Sequence, residues 1–118
     1  MIKIKVLKIK LPLSTSDRTL LKAYLSKNEK DNLPKTGSKN YDISLAGKGI
    51  SKLFISEFLR IPISRMVIGK TNLGKPYLKK PNNGNYDFYI SHSGDYLAIA
   101  ISNKGEIGVD VELFREFD

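Results

Sequence analysis

The chain has 118 residues, no cysteine, and a net charge of +8 from 20 Lys and Arg against 12 Asp and Glu. That length suits a single domain, residues 1–118, with a modest core; the lack of cysteine excludes a disulfide framework or a thiolate metal site and fits a reducing cytoplasm. No apolar run is long enough to cross a bilayer, and the N-terminus spaces its lysines at every second place instead of ahead of an apolar block, so a cytoplasmic protein without signal peptide or membrane partner is expected.

Residues 2 to 11 alternate apolar residues with lysine, as in a half-buried strand. The phase slips at Val6-Leu7, which predicts a bulge or strong twist. Lysines on an outer face suit an edge strand. Ser14, followed three places later by Asp17, predicts a helix cap, and Leu20, Leu21, Tyr24 and Leu25 share one face of a short helix ending near Lys27. The polar stretch from Lys27 to Asn40, with Pro34 and Gly37, reads as a loop.

Ala46, Ile50, Leu53, Phe54, Phe58 and Ile61 keep helical spacing, so a long helix is expected after Asp42, through Gly47 and Gly49, stopping before Pro62. Lys48 and Lys52, four residues apart, are neighbours on its other side. A short strand is expected at Met66-Val67-Ile68. Gly69-Lys70-Thr71 does not complete a phosphate loop, because Ser64 stands where the pattern needs glycine and Asn72-Leu73-Gly74-Lys75-Pro76 interrupts the chain. A meander follows. Tyr86, Phe88 and Ile90 alternate in one strand, Gly94-Asp95 turns, and Leu97, Ile99 and Ile101 alternate with Ala98 and Ala100 in a second. The third strand runs from Ile107 to Leu113. The expected fold is α+β: a small antiparallel sheet packed on one long and one short helix.

Two features carry candidate chemistry. His92 is the only histidine, and it sits between Ser91 and Ser93. Adjacent strand residues face opposite ways, so His92 is badly placed to activate either serine, and no orienting acid stands beside them. A structural histidine and an exposed anion contact both remain open. Asp110 and Glu112 point to one face of the last strand, with Val109 and Val111 on the other. Two such carboxylates are tolerated if solvated, paired with a cation, or bound to a metal; as hard oxygen ligands they suit Mg²⁺.

Gly74-Lys75-Pro76, then Phe88-Tyr89-Ile90-Ser91-His92-Ser93-Gly94, then Gly108-Val109-Asp110-Val111-Glu112 resemble, in order and spacing, the phosphopantetheinyl transferases of the surfactin-synthetase type. The resemblance is sharp over residues 74 to 112. It implies transfer of phosphopantetheine from coenzyme A to a serine of an acyl or peptidyl carrier protein. It implies Asp110 and Glu112 as Mg²⁺ ligands, and Lys75, Ser91 and His92, with Lys48 on the long helix and Lys30 in the polar stretch after the short one, as coenzyme A contacts. The family has two similar halves, and this chain matches the first. No catalytic base is assigned here, since the family's further acid and lysine belong to the second half. The chain alone is therefore expected to be inactive, and a homodimer through the half-site surface is an open expectation. A non-catalytic coenzyme A or protein-interaction domain is the alternative. A basic nucleic-acid module is disfavoured, because no signature of that kind is present.

Overall fold

The computed structural model describes residues 2–73, 75–81 and 86–102. The order is β1 (Ile2–Lys8), α1 (Thr15–Tyr24), α2 (Lys27–Asp31), α3 (Tyr41–Leu59), a 3₁₀ turn (Ile63–Arg65), β2 (Val67–Lys70), β3 (Pro76–Lys80), β4 (Asp87–Ser93) and β5 (Tyr96–Ser102). The fold is α+β. Three strands form one antiparallel sheet in the order β1-β5-β4, and β2 and β3 form a separate hairpin.

The β4–β5 hairpin turns at Gly94-Asp95, where Gly94 takes a φ of +61° that a side chain would resist. On β5, Leu97, Ile99 and Ile101 are fully buried against the helices, and Ala98 and Ala100 face the other way. Directly opposed residues of antiparallel strands share a face, so the register of β1 on β5 fixes which side chains of β1 point inward. Lys3, Lys5 and Leu7 stand opposite Ile101, Ile99 and Leu97; Ile4 and Val6 stand opposite Ala100 and Ala98. Leu7 and Ile9 reach the core, whereas Ile4 and Val6 remain 56% exposed.

The anticipated bulge at Val6-Leu7 is therefore absent: pairing runs unbroken from Ile2 to Lys8. The apparent change of phase arises because Lys3 and Lys5 lie at the end of the inward face and reach solvent. They are not outer-face lysines.

Two elements depart from expectation. The stretch from Lys27 is not all loop. Ser26 and Glu29 form a capping box: Ser26 Oγ accepts from the Glu29 N–H at 3.2 Å, and Glu29 Oε1 accepts from the Ser26 N–H at 2.7 Å. Those reciprocal bonds start α2, so two short helices accompany the long one. β3 also forms after the break at 71–75. Its first residue is Pro76, a position where a missing N–H removes no ladder bond. The third meander strand, Ile107 to Leu113, lies outside the described residues.

α3 is held from both sides. Gly49 lies against Leu21 of α1, and a Cβ there would stand 2.7 Å from Leu21 Cδ2 and 3.2 Å from its Cβ, so a larger residue would force the buried Leu21 side chain to shift. At the start of α3, Asp42 receives Arg18 Nε and Nη2, both at 2.9 Å, and the Leu13 N–H at 3.0 Å. This carboxylate ties the entry of α1 to the entry of α3. The Arg18 bond, helped by the Leu13 N–H and opposed by partial burial, holds the Asp42 carboxyl below its ordinary pKa.

Candidate functional site

Lys52 and Lys48 lie one helical turn apart on α3. Lys52 is buried, and its Nζ donates to Glu29 Oε1 at 2.7 Å. Glu29 Oε2 accepts from the Ile68 N–H of β2 at 2.9 Å. The Glu29 carboxylate thus joins α2, α3 and β2. Burial alone would raise its pKa, but the Lys52 bond and the backbone N–H groups of Ser26 and Ile68 prevail and hold it below the ordinary value. With three donors converging on two oxygens, this carboxylate is structural.

Lys48 is different. It is half-buried, and among the described residues no salt bridge or hydrogen bond engages its amine. Burial, then the neighbouring Lys70 ammonium, push its pKa down, and Glu29 partly restores it.

Lys48 and Lys70 together border three adjoining cavities. The largest, about 450 Å³, is walled further by Asn28, Asn32, Tyr77 and Lys79. The second, about 250 Å³, is bordered by Ile43, Ser44, Pro76, Ile90 and His92. The third is about 60 Å³ and reaches Ser51, whose buried hydroxyl has no hydrogen-bond partner among the described residues. Gly69 lets the Tyr77 ring lie against β2, since a Cβ there would be 3.1 Å from two ring carbons and from the phenolic oxygen. The result is a trench lined by cations from α3, β2 and β3, with His92 at one end. It can neutralise a multiply charged anion without any single residue carrying the whole load.

The structure sets Lys48 and His92 on the same cavity. Their inward direction follows from the strand register: His92 pairs with Leu97, a core residue, so it shares the sheet face that α3 covers. Ser91 pairs with Ala98 and projects to the opposite face. Lys75 forms an ion pair with Asp87, and its N–H donates to Thr71 Oγ1 at 3.1 Å. Lys30 is exposed on α2, outside the residues that border the trench. Asp110 and Glu112 lie outside the described residues, and among those described no cluster of three or more His, Asp or Glu could hold a metal. No helix among the described residues is long and apolar enough to cross a membrane.

Lys70 and Lys79 escaped the sequence reading as trench residues. Lys70 carried a signal, its Gly-Lys-Thr context, but for a loop that does not exist here. Lys79 carried none.

The chain thus combines an α+β fold with a lysine-lined trench between its long helix and its hairpin. The family model described as 4'-phosphopantetheinyl transferase, N-terminal, matches residues 12–104. The chain belongs to that family. Among curated relatives, the L-aminoadipate-semialdehyde dehydrogenase-phosphopantetheinyl transferase of Mus musculus is 34% identical over 71 residues, 58% of this chain and 23% of that protein. The 4'-phosphopantetheinyl transferase gsp of Aneurinibacillus migulanus is 32% identical over 75 residues, 64% of this chain and 30% of that protein. The chain spans roughly a quarter of the length of the curated relatives it matches. Among solved structures, the holo-[acyl-carrier-protein] synthase of Helicobacter pylori in complex with coenzyme A superposes with a TM-score of 0.61 at 20% identity, covering 86% of this chain and 97% of that one. At that identity the likeness is one of fold.

Proposed function

We propose that this chain supplies the first half of a phosphopantetheinyl transferase of the surfactin-synthetase type. The reaction moves phosphopantetheine from coenzyme A to a serine hydroxyl of an acyl or peptidyl carrier protein. The observation that carries the reading is the convergence of Lys48, Lys70 and His92 on one trench in a chain whose family match spans residues 12–104. Coenzyme A bears a diphosphate and a separate phosphomonoester, and a trench with several independent cations suits a ligand whose charge is distributed in that way.

In this reading His92 and Lys48 contact phosphate oxygens in the second cavity, and Lys70 and Lys79 neutralise charge along the larger one. Lys75, by its pairing with Asp87, reaches a phosphate only by exchanging one anion for another. Ser91 projects to the opposite sheet face and Lys30 lies outside the residues that border the trench, so in this reading neither contacts a ligand bound there. Asp110 and Glu112 are the oxygen donors whose chemistry suits Mg²⁺. A bound Mg²⁺ would supply charge neutralisation at the diphosphate. The residues of this chain bind and orient the donor, and catalysis of this type rests on positioning and electrostatic stabilisation. The remaining acid and base come from a second half or a second copy, and the carrier protein is the separate acceptor. A second copy docked through the half-site surface is the homodimer form of such a partner.

The test is to titrate the chain with coenzyme A by calorimetry with and without Mg²⁺, then to incubate it with coenzyme A, Mg²⁺ and an apo carrier protein and weigh the carrier. Micromolar binding that weakens with salt and falls on His92→Ala supports the reading. No binding at millimolar coenzyme A sinks it. A binding chain that leaves the carrier unmodified fits a half-site, and Asp110→Ala should then remove the Mg²⁺ effect. The alternative, a coenzyme A-binding domain without transfer, is separated by supplying a family second half: transfer restored by that addition rules it out.

A further inference from the structure

We propose that Lys48 is an acylation site whose acyl donor is an acyl phosphate held in the cationic trench. Three observations about its placement carry this. Lys48 borders all three cavities, so its amine opens onto solvent-accessible space despite being half-buried. Among the described residues its amine has no anionic partner within bonding distance, because Glu29, the acid that borders the same cavity, is bonded to Lys52, Ser26 and Ile68. Other cations share its cavities: Lys70 from β2 borders every cavity it does, and Lys79 of β3 borders the largest.

Burial and Lys70 lower the pKa of the amine, with Glu29 pulling the other way. The amine is therefore prepared as a nucleophile, and the surrounding cations recruit an anionic donor to it.

The chemistry balances without further reagents. The Nζ lone pair attacks the acyl carbon, an N–C bond forms, and the C–O bond to phosphate breaks. Phosphate leaves with the electron pair and takes the proton that the amine releases. Lys70 and Lys79 stabilise the leaving phosphate. The product is a neutral amide at the junction of the cavities. Its regulatory consequence, weaker binding of a phosphorylated ligand, rests on the transferase reading above; the modification itself does not.

The test incubates the full chain with acetyl phosphate and follows acetylation of each lysine by peptide mass spectrometry. Expected is Lys48 acetylated several-fold faster than the exposed Lys27 and Lys35, slowed by excess inorganic phosphate, and slowed again in Lys70→Gln, an exposed substitution whose folding is checked by circular dichroism. Lys48 reacting no faster than Lys27 overturns the proposal. So does fast labelling that inorganic phosphate leaves unchanged, since the trench would then play no part in holding the donor. Because the readout is the mass of one peptide, a failure here is distinct from a failure to bind coenzyme A.

Discussion

Replacing Lys52 with methionine tests the central joint of this fold. Methionine keeps much of the side-chain volume and removes the ammonium, leaving the Glu29 carboxylate buried with only the Ser26 and Ile68 N–H groups. Removing one partner of a buried ion pair typically costs about 3–5 kcal/mol. Two charge-assisted backbone bonds survive on Glu29, each contributing about 1.5–3 kcal/mol, so the lower end, about 3 kcal/mol, is expected. For a domain with about 5–15 kcal/mol in total this is a severe loss. The pH dependence carries more information. In the wild type the folded pKa of Glu29 is lowered from 4.5, so its stabilisation is complete above that value and is lost as pH falls through the folded pKa. Without Lys52, burial acts against fewer opposing bonds and the carboxyl protonates at higher pH, which relieves the variant on acidification. The deficit of Lys52→Met measured by urea unfolding should therefore be about 3 kcal/mol at pH 7 and clearly smaller below pH 4. Glu29→Gln combined with Lys52→Met should be more stable than Lys52→Met alone. A deficit below about 1 kcal/mol at pH 7, or one equal at both pH values, would refute the claim that this pair joins the three elements.

Gly49→Ala should destabilise by about 1–2 kcal/mol in urea or thermal unfolding: the added Cβ meets Leu21 at 2.7 Å, and overpacking outweighs the gain of about 1 kcal/mol in helix propensity. Arg60→Gly should stabilise by about 1 kcal/mol, because Arg60 ends α3 at a φ of +56°, where a Cβ is strained; an unchanged unfolding midpoint would contradict this. His92→Ala should weaken coenzyme A binding several-fold while leaving the unfolding curve within about 0.5 kcal/mol of wild type, since His92 is exposed at the end of β4. Asp42→Asn should lower the melting temperature at pH 7, with the difference shrinking as acid protonates the wild-type carboxylate.

The parts of this structure legible in the sequence are those whose signal is local. The β4–β5 hairpin is written in two alternating runs around Gly94-Asp95, and α3 in its apolar spacing. What escaped was local too in one case: Ser26 and Glu29 form a capping box, but the polar composition around them and the nearby Pro34 and Gly37 pointed to a loop. β3 was hidden by Pro76, which breaks strands in general yet is harmless at a strand's first residue. The face of β1 was misread because Lys3 and Lys5 suggested an outer surface, whereas the register against Ile101 and Ile99 puts them on the inner one. The trench was not legible as a unit. Lys48, Lys70, Lys79 and His92 come from four elements, and only the packing of α3 across the hairpin and β4 brings them to common cavities.

Lys48 and Lys52 show how structure and site depend on one another. They are the same residue type on the same helix, one turn apart, and sequence alone gives no reason to separate them. Glu29 separates them. By taking Lys52 into the core it removes one cation from solvent, and by accepting the Ile68 N–H it fixes β2 two residues before Lys70. Lys70 is thereby held beside Lys48, which has no acid of its own among the described residues. One buried carboxylate thus sets a pair of amines, without an ion-pair partner among the described residues, at the junction of three cavities. Loss of Glu29 would act on ligand binding through the spacing of those amines. Its effect on anion affinity should accordingly exceed that of Lys79→Ala, although Lys79 borders the largest cavity and the Glu29 carboxylate, already saturated with donors, would only repel an anion.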